Sequence, residues 1–251
     1  VQGGVILNAD MSHTSPLNSA SLIPSSANEG RGIIVRLYDA GKRFNRDWIF
    51  RHVNHQFETG KSYAITGPNG SGKSTLLQAI AGSLYLSEGK LEYRTEEQRN
   101  KEQGTEEVMK PIVLDPEKIY QQISIAAPYL ELVEEMTAKE FLHFHHQFKP
   151  LTGIVSIEEI LYIIGLEKAT DKQIRYFSSG MKQRIKLAQA IFSDTPVLLL
   201  DEPCTNLDKP GYELYHLLIE NYAQNKLIVV SSNDAQEMDF CTEKLSILDY
   251  K

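Results

Sequence analysis

Gly67-Pro68-Asn69-Gly70-Ser71-Gly72-Lys73-Ser74-Thr75 decides how the rest of the chain is read. The run fits the phosphate-binding pattern G-x-x-x-x-G-K-[ST]. Its flanks fit the same chemistry. Ser62–Thr66 reads as a buried strand, and residues 76–81 as a helix that stops at Gly82. The glycines at 67, 70 and 72 carry no Cβ, so the backbone can turn sharply and come close to phosphate oxygens. Successive N–H groups then point into one concavity at the positive end of a helix dipole. Lys73 adds a mobile cation for β- and γ-phosphates, and Ser74 offers a hydroxyl to Mg2+.

Outward from this loop, apolar strands alternate with helices, which indicates an α/β fold with a parallel sheet covered on both faces. On the N-terminal side, residues 1–31 read as a poorly ordered tail, rich in Ser, Asn, Pro and Gly. Residues 32–38 begin the folded part as a strand, 42–48 read as a turn with aromatics, and 49–57 as a second strand. On the C-terminal side, 89–93 is a short strand and 94–110 a strongly polar run, either a docking insertion or a solvated hairpin loop. Strand character returns over 118–126. Helices are expected over 137–148 and 157–164. In the first of these, Phe141, Phe144 and Phe148 fall on one face, beside His143, His145 and His146. Two histidines three apart could bind metal. No carboxylate or cysteine completes a motif, so solvated helix positions are expected.

Residues 196–202 form a fully apolar strand ending in two carboxylates, Asp201 and Glu202. A carboxylate at that place can reach a Mg2+ held near Ser74, and Asp201 is set for it. Glu202 points differently and can polarise an attacking water, which contributes about 10²- to 10⁴-fold in rate. A helix over 212–223, an apolar strand over 227–232 and a last strand over 245–248 complete the chain.

Composition narrows the class. The 251 residues allow one large domain, or one with a subdomain. Hydrophobic content of 41% and charged content of 24% are ordinary for a globular chain. A net charge of −7 argues against nucleic acid as an obligate partner. No apolar run approaches the roughly 18 residues that suggest a membrane span. The N-terminus lacks a basic segment followed by an apolar core, so no signal peptide is expected. Cys204 and Cys241 lack metal-site spacing and suit a reducing cytosol.

With these pieces in order, the chain resembles the ATP-binding-cassette (ABC) ATPases, specifically the nucleotide-binding subunits of ABC transporters. Phe177-Ser178-Ser179-Gly180-Met181-Lys182-Gln183-Arg184 looks like that family's signature L-S-G-G-Q and the basic run after it. Thr205-Asn206-Leu207-Asp208 looks like its D-loop. The resemblance covers about residues 32 to 250. It implies a P-loop NTPase fold with a mostly parallel core sheet, an antiparallel β subdomain, and a helical subdomain at about 129–170. It implies that ATP and Mg2+ are bound by residues 67–75, with Ser74 and Asp201 on the metal. Lys73 and Glu202 would be catalytic. Phe44 would stack on the adenine, with Trp48 the alternative. The signature residues Ser178, Ser179, Gly180 and Met181 open a helix whose first N–H groups are unpaired. In the family they meet the ATP of a second subunit, and Asp208 lies in the D-loop between them. The implied partners are a membrane permease and a second cassette, either another copy or a different ABC subunit. Location would be cytoplasmic, peripheral on the inner face of the cell membrane. The alternatives are a non-transport ABC protein and an ATP-binding switch with weak hydrolysis.

Three positions depart from the family pattern. The first glycine of the signature is Ser179. Pro128 stands nearest the place of the Q-loop glutamine. Asn233 replaces the histidine that senses the γ-phosphate. Losing one well-aimed donor costs about 2.7–4 kcal/mol in a transition state. An amide that partly replaces it should cost less, so slow hydrolysis is expected.

Overall fold

In the computed structural model, residues 32–96 and 112–251 are described. The expected N-terminal tail, 1–31, and residues 97–110 of the polar run lie outside them.

The folded part opens with a long antiparallel hairpin of β1 (Gly32–Phe44) and β2 (Asp47–Glu58). Only Asn45 and Arg46 turn the chain. Phe44 pairs with Asp47 and Arg43 with Trp48, so the turn expected over 42–48 is corrected to two continuing strands. Asn45 takes the left-handed conformation (φ 54°) that Asn tolerates, which lets two residues suffice. Next come β3 (Ser62–Thr66), α1 (Lys73–Ile80) and β4 (Glu88–Glu96), then β5 (Ile112–Val113) and β6 (Ile123–Ala126). Strand character was expected from 118. Instead Pro116–Gln121 is a 3-10 helix, because Asp115 accepts from the Glu117 N–H and Pro116 fits the first turn.

The remaining elements are α2 (Ala138–Phe148), α3 (Ile157–Ile163), α4 (Ser179–Ile191), β7 (Val197–Asp201), α5 (Lys209–Tyr222), β8 (Leu227–Ser231) and β9 (Glu243–Ser246). Capping boxes start α2 at Thr137/Glu140 and α3 at Ser156/Glu159. In α2 the buried residues are Ala138, Phe141 and Leu142, whereas Phe144 and Phe148 are exposed and pack edge-on against each other. Of the three phenylalanines on one face, only Phe141 reaches the core. Of the histidines, His143 and His146 are exposed as expected, and only His145 is half-buried. His145 Nε2 lies 2.9 Å from Ser193 Oγ, and His146 Nδ1 accepts from the Leu151 N–H.

Two sheets result. One is antiparallel, in the order β2-β1-β4-β5; the other is wholly parallel, in the order β6-β7-β8-β3-β9. Alternation along the parallel strands serves two cores. Leu198, Leu200, Ile228 and Val230 face the core shared with α2, α3, α4 and α5. Val197, Leu199, Leu227, Val229 and Ile65 face the core shared with α1 and the antiparallel sheet. Every buried strand residue thus has a partner layer, which is why these strands are apolar on both faces. Parallel pairing also brings the carboxyl ends of β3, β6, β7 and β8 to one edge. Asp201 pairs with Ser231, and Ile65 pairs with Ser231 on the other side, so the segments leaving these strands begin side by side.

Candidate functional site

That edge carries the phosphate loop. Gly67 and Gly72 take φ of 146° and 101°. A Cβ at Gly72 would sit 2.3 Å from Ile49 Cγ2, and one at Gly67 would sit 2.6 Å from Ile247 Cγ2. Both conformation and packing therefore demand glycine. Lys73, almost fully buried, donates to the carbonyls of Gly67 (2.8 Å) and Pro68 (3.3 Å) and so closes the loop on itself. Lys251 Nζ bonds the carbonyls of Ser71 (2.6 Å) and Ile49 (2.8 Å), stitching the loop to β2. Pro68, Asn69 and Gly70 face solvent, and Ser74 and Thr75, in the first turn of α1, are half-buried.

Asp201 ends β7 only 2% exposed, and its Oδ1 has no hydrogen-bond partner among the described residues. Ser71 Oγ and Ser231 Oγ at the same edge are likewise buried without a partner. Such atoms are costly unless something else satisfies them. A buried carboxylate oxygen at the edge that also carries the half-buried Ser74 suits a hard cation such as Mg2+, which prefers one or two carboxylates plus phosphate oxygens and water to an all-protein cage. In keeping with that habit, the described residues contain no group of three or more His, Cys, Asp or Glu arranged to hold a metal.

Glu202 follows with φ of 43°, a left-handed conformation that costs a residue with a Cβ about 1–2 kcal/mol. Its N–H donates to the Ser231 carbonyl at 2.8 Å. Asn233, just past β8, donates from Nδ2 to Asn69 Oδ1 at 2.7 Å, so the departing position touches the phosphate loop directly. Phe44 is 47% exposed at the end of β1, with the Lys42 ammonium 5.1 Å from its ring centre. The Trp48 ring, by contrast, is covered by the Arg51 guanidinium at 4.1 Å.

Pro128 is exposed, and its carbonyl accepts from Lys186 at 3.0 Å. Sequence reasoning stopped there and passed over Tyr129. Its hydroxyl hydrogen-bonds the Gln78 side chain and faces the Asp201 charge, and its pKa is raised, chiefly by burial. Gln78 lies one helical turn beyond Ser74, so spacing on α1 was the available signal.

The signature segment lies elsewhere, against residues 203–208. Ser178 caps α4 by accepting from the Met181 N–H at 3.3 Å. A Cβ on Gly180 would come 3.2 Å from the Asn206 carbonyl. Ser179 and Asn206 line an open cleft of about 420 Å³ with Pro128, Glu134 and Lys182. Asp208 caps α5, accepting from the Gly211 N–H at 3.1 Å.

Comparison with known proteins agrees with this arrangement. A model of the ABC transporter family matches residues 50–205. The cytochrome c biogenesis ATP-binding export protein CcmA of Agrobacterium fabrum is 30% identical over 199 residues, covering 76% of this chain and 84% of that protein. The bacitracin transport ATP-binding protein BcrA of Bacillus licheniformis is 28% identical over 217 residues, covering 86% of this chain and 66% of that one. Among solved structures, the dimeric bacterial ABC transporter cassette MJ0796 superposes with a TM-score of 0.65 at 22% identity, over 85% of this chain and 94% of that one. That last likeness is one of fold.

Proposed function

Since the chain belongs to the ABC transporter family, we propose that it is the ATP-binding and ATP-hydrolysing subunit of an exporter, acting on a separate membrane permease. The reading is supported above all by Asp201 Oδ1, buried and unpartnered at the strand end beside the phosphate loop. Residues 67–75 cradle the phosphates, and Lys73 turns from its own loop carbonyls to the β- and γ-phosphates. Ser74 and Asp201 would hold Mg2+. When bound, the metal neutralises charge on the phosphate oxygens. Phe44 stacks on the adenine. Glu202 takes a proton from the water that attacks the γ-phosphorus, the bond to the β-phosphate oxygen breaks, and ADP and phosphate leave. Asn233 donates toward the γ-phosphate from its amide.

Ser178, Ser179, Gly180 and Met181 serve the nucleotide of a second cassette, a copy of this chain or another ABC subunit, with Asp208 between the two. Residues 32–250 form the ATPase domain. The helices of about 129–170, with exposed Phe144 and Phe148, face the permease. No described helix is long and apolar enough to cross a membrane, so attachment would come through that partner, on the cytoplasmic side. The name of CcmA, an export protein, supports export as the direction. Nucleic acid is not a partner.

Asn233 is already engaged with Asn69, which favours slow turnover and keeps an ATP-binding switch as the second reading. Hydrolysis by the purified protein, beside Glu202→Gln and Asn233→His, separates the two. An ATPase loses about 10²-fold or more with the first change and gains rate with the second. A switch binds ATP in all three and hydrolyses it in none. Co-purification of a permease from detergent-solubilised membrane tests the transport assignment.

A further inference from the structure

Glu202 is followed by Pro203, which has no N–H, so the peptide joining Pro203 to Cys204 is the first full peptide unit after Glu202 that can be held from both ends. Both ends are held by buried side chains. Gln183 Nε2 donates to the Pro203 carbonyl at 2.6 Å, and the Cys204 N–H donates to Glu237 Oε1 at 2.7 Å. Gln183 is 4% exposed, Glu237 3% and Cys204 2%. The two side chains come from opposite sides of the site. Gln183 lies in α4, whose first turn is the signature. Glu237 ends the 3-10 turn Ala235–Glu237 that follows Asn233, and its own carbonyl accepts from the buried Tyr215 hydroxyl at 2.9 Å.

We infer that Gln183 and Glu237 are positioning residues that clamp the Pro203–Cys204 peptide and thereby hold the Glu202 carboxylate in its working place. The argument is physical. A left-handed residue before proline relaxes unless its surroundings over-determine it. Here the constraints are the Glu202 N–H on the Ser231 carbonyl and the clamped peptide one residue further along. Removing one jaw lets the backbone relax and swings the carboxylate. The clamp also joins three parts of the site through one peptide plane: the signature helix, the carboxylate strand, and the turn carrying Asn233.

This inference rests on Glu202 acting as the base, so the test separates the two. Gln183→Leu and Glu237→Leu keep volume and remove one jaw each. Each lowers kcat by about 10- to 100-fold, as expected for a misplacement of the order of an ångström, while the ATP concentration for half-maximal rate moves less than about twofold. Glu237→Gln, whose amide oxygen still accepts from the Cys204 N–H, keeps at least about half the rate. In a Glu202→Gln background, adding Gln183→Leu changes the residual rate by less than about twofold, because there is no base left to misplace. Folded single variants with wild-type kcat overturn the clamp, and so does a full further loss in the Glu202→Gln background. Should the leucine variants fail to fold, amide exchange of Cys204 in wild-type protein decides. Protection equal to that of β7 amides supports the clamp, and exchange at the rate of a surface loop overturns it. A wild-type protein that binds ATP without hydrolysing it overturns the functional reading instead, and the clamp then stands or falls on the Cys204 amide.

Discussion

The two edges of the parallel sheet handle buried polar atoms in opposite ways. At the carboxyl edge, Asp201 Oδ1, Ser71 Oγ and Ser231 Oγ are buried without partners, and Glu202 sits in a strained conformation. At the amino edge, polar groups are also buried, but they are spent on the fold. Lys226, 5% exposed, donates to the carbonyls of Ile191 (2.9 Å) and Ser193 (2.6 Å) at the end of α4. Lys149 donates to the Ile123 carbonyl where β6 begins. Among the described residues, the unmet capacity of the carboxyl edge lies by the phosphate loop, whereas these two lysines of the amino edge are held by carbonyls. Unmet capacity costs stability and marks where something else is meant to bind; satisfied capacity marks where the chain is held together.

The contrast breaks most sharply at Asp201. Asp201→Asn removes a buried carboxylate whose Oδ1 has no partner among the described residues, so in the absence of nucleotide and metal the protein gains about 1 kcal/mol toward denaturant. Hydrolysis falls by about 10²-fold or more, because the metal loses its carboxylate. Denaturant midpoints and ATPase rates on the same preparations check both halves. A variant that is less stable and equally active would erase the distinction between the edges.

Lys226→Met is the converse. Burial pushes the Lys226 pKa down from 10.5 to about 7, so at pH 9 the side chain is mostly neutral and no buried charge is relieved by its removal. The lost bonds to the Ile191 and Ser193 carbonyls then dominate, and unfolding free energy drops by about 1–3 kcal/mol with turnover unchanged. The sign with pH follows from proton binding. Between about 7 and 10.5 the unfolded lysine is protonated and the folded one is not, so wild type gains stability relative to Met as pH rises through that window. Urea denaturation of both proteins at pH 7 and 9 measures the gain.

How much of this could be read beforehand depends on distance along the chain. The phosphate loop, its strand and helix, and the acidic end of β7 are local patterns, and they lie where spacing put them. The 3-10 turn at Pro116 and the two-residue turn at Asn45 were equally local, signalled by Asp-Pro and by a lone Asn, but propensity over a longer window obscured them. The clamp was not legible at all. Its partners are 20 and 33 residues apart, and nothing in Gln183 or Glu237 alone says that both reach one peptide. The buried side of α2 was hidden for another reason. Phenylalanine spacing gives a helix side, but which side is buried depends on what packs there, and the β6–β7–α4 layer took Phe141 and Leu142 and left Phe144 and Phe148 outside.

His145 gives the smallest effect and the finest test of the contrast. It stands on the half-buried flank of α2. Ser193 Oγ donates to the Gln189 carbonyl at 2.5 Å, so it accepts from His145 Nε2–H, and the ring is held as the neutral tautomer. Burial, then the neighbouring Lys149 and His146, push its pKa down to about 4. As pH falls from about 6.5 to about 4, the unfolded histidine takes up a proton that the folded one refuses, so this group withdraws stability across that window. His145→Gln keeps an N–H for Ser193 and cannot titrate. Its stability should lie close to wild type at pH 8 and fall less steeply between pH 6.5 and 4. Carboxylates also titrate there, but they are common to both proteins and drop out of the difference. Parallel acid limbs would mean that the His145–Ser193 pair is open to solvent, and the amino edge would then be less completely committed to the fold than the lysines indicate.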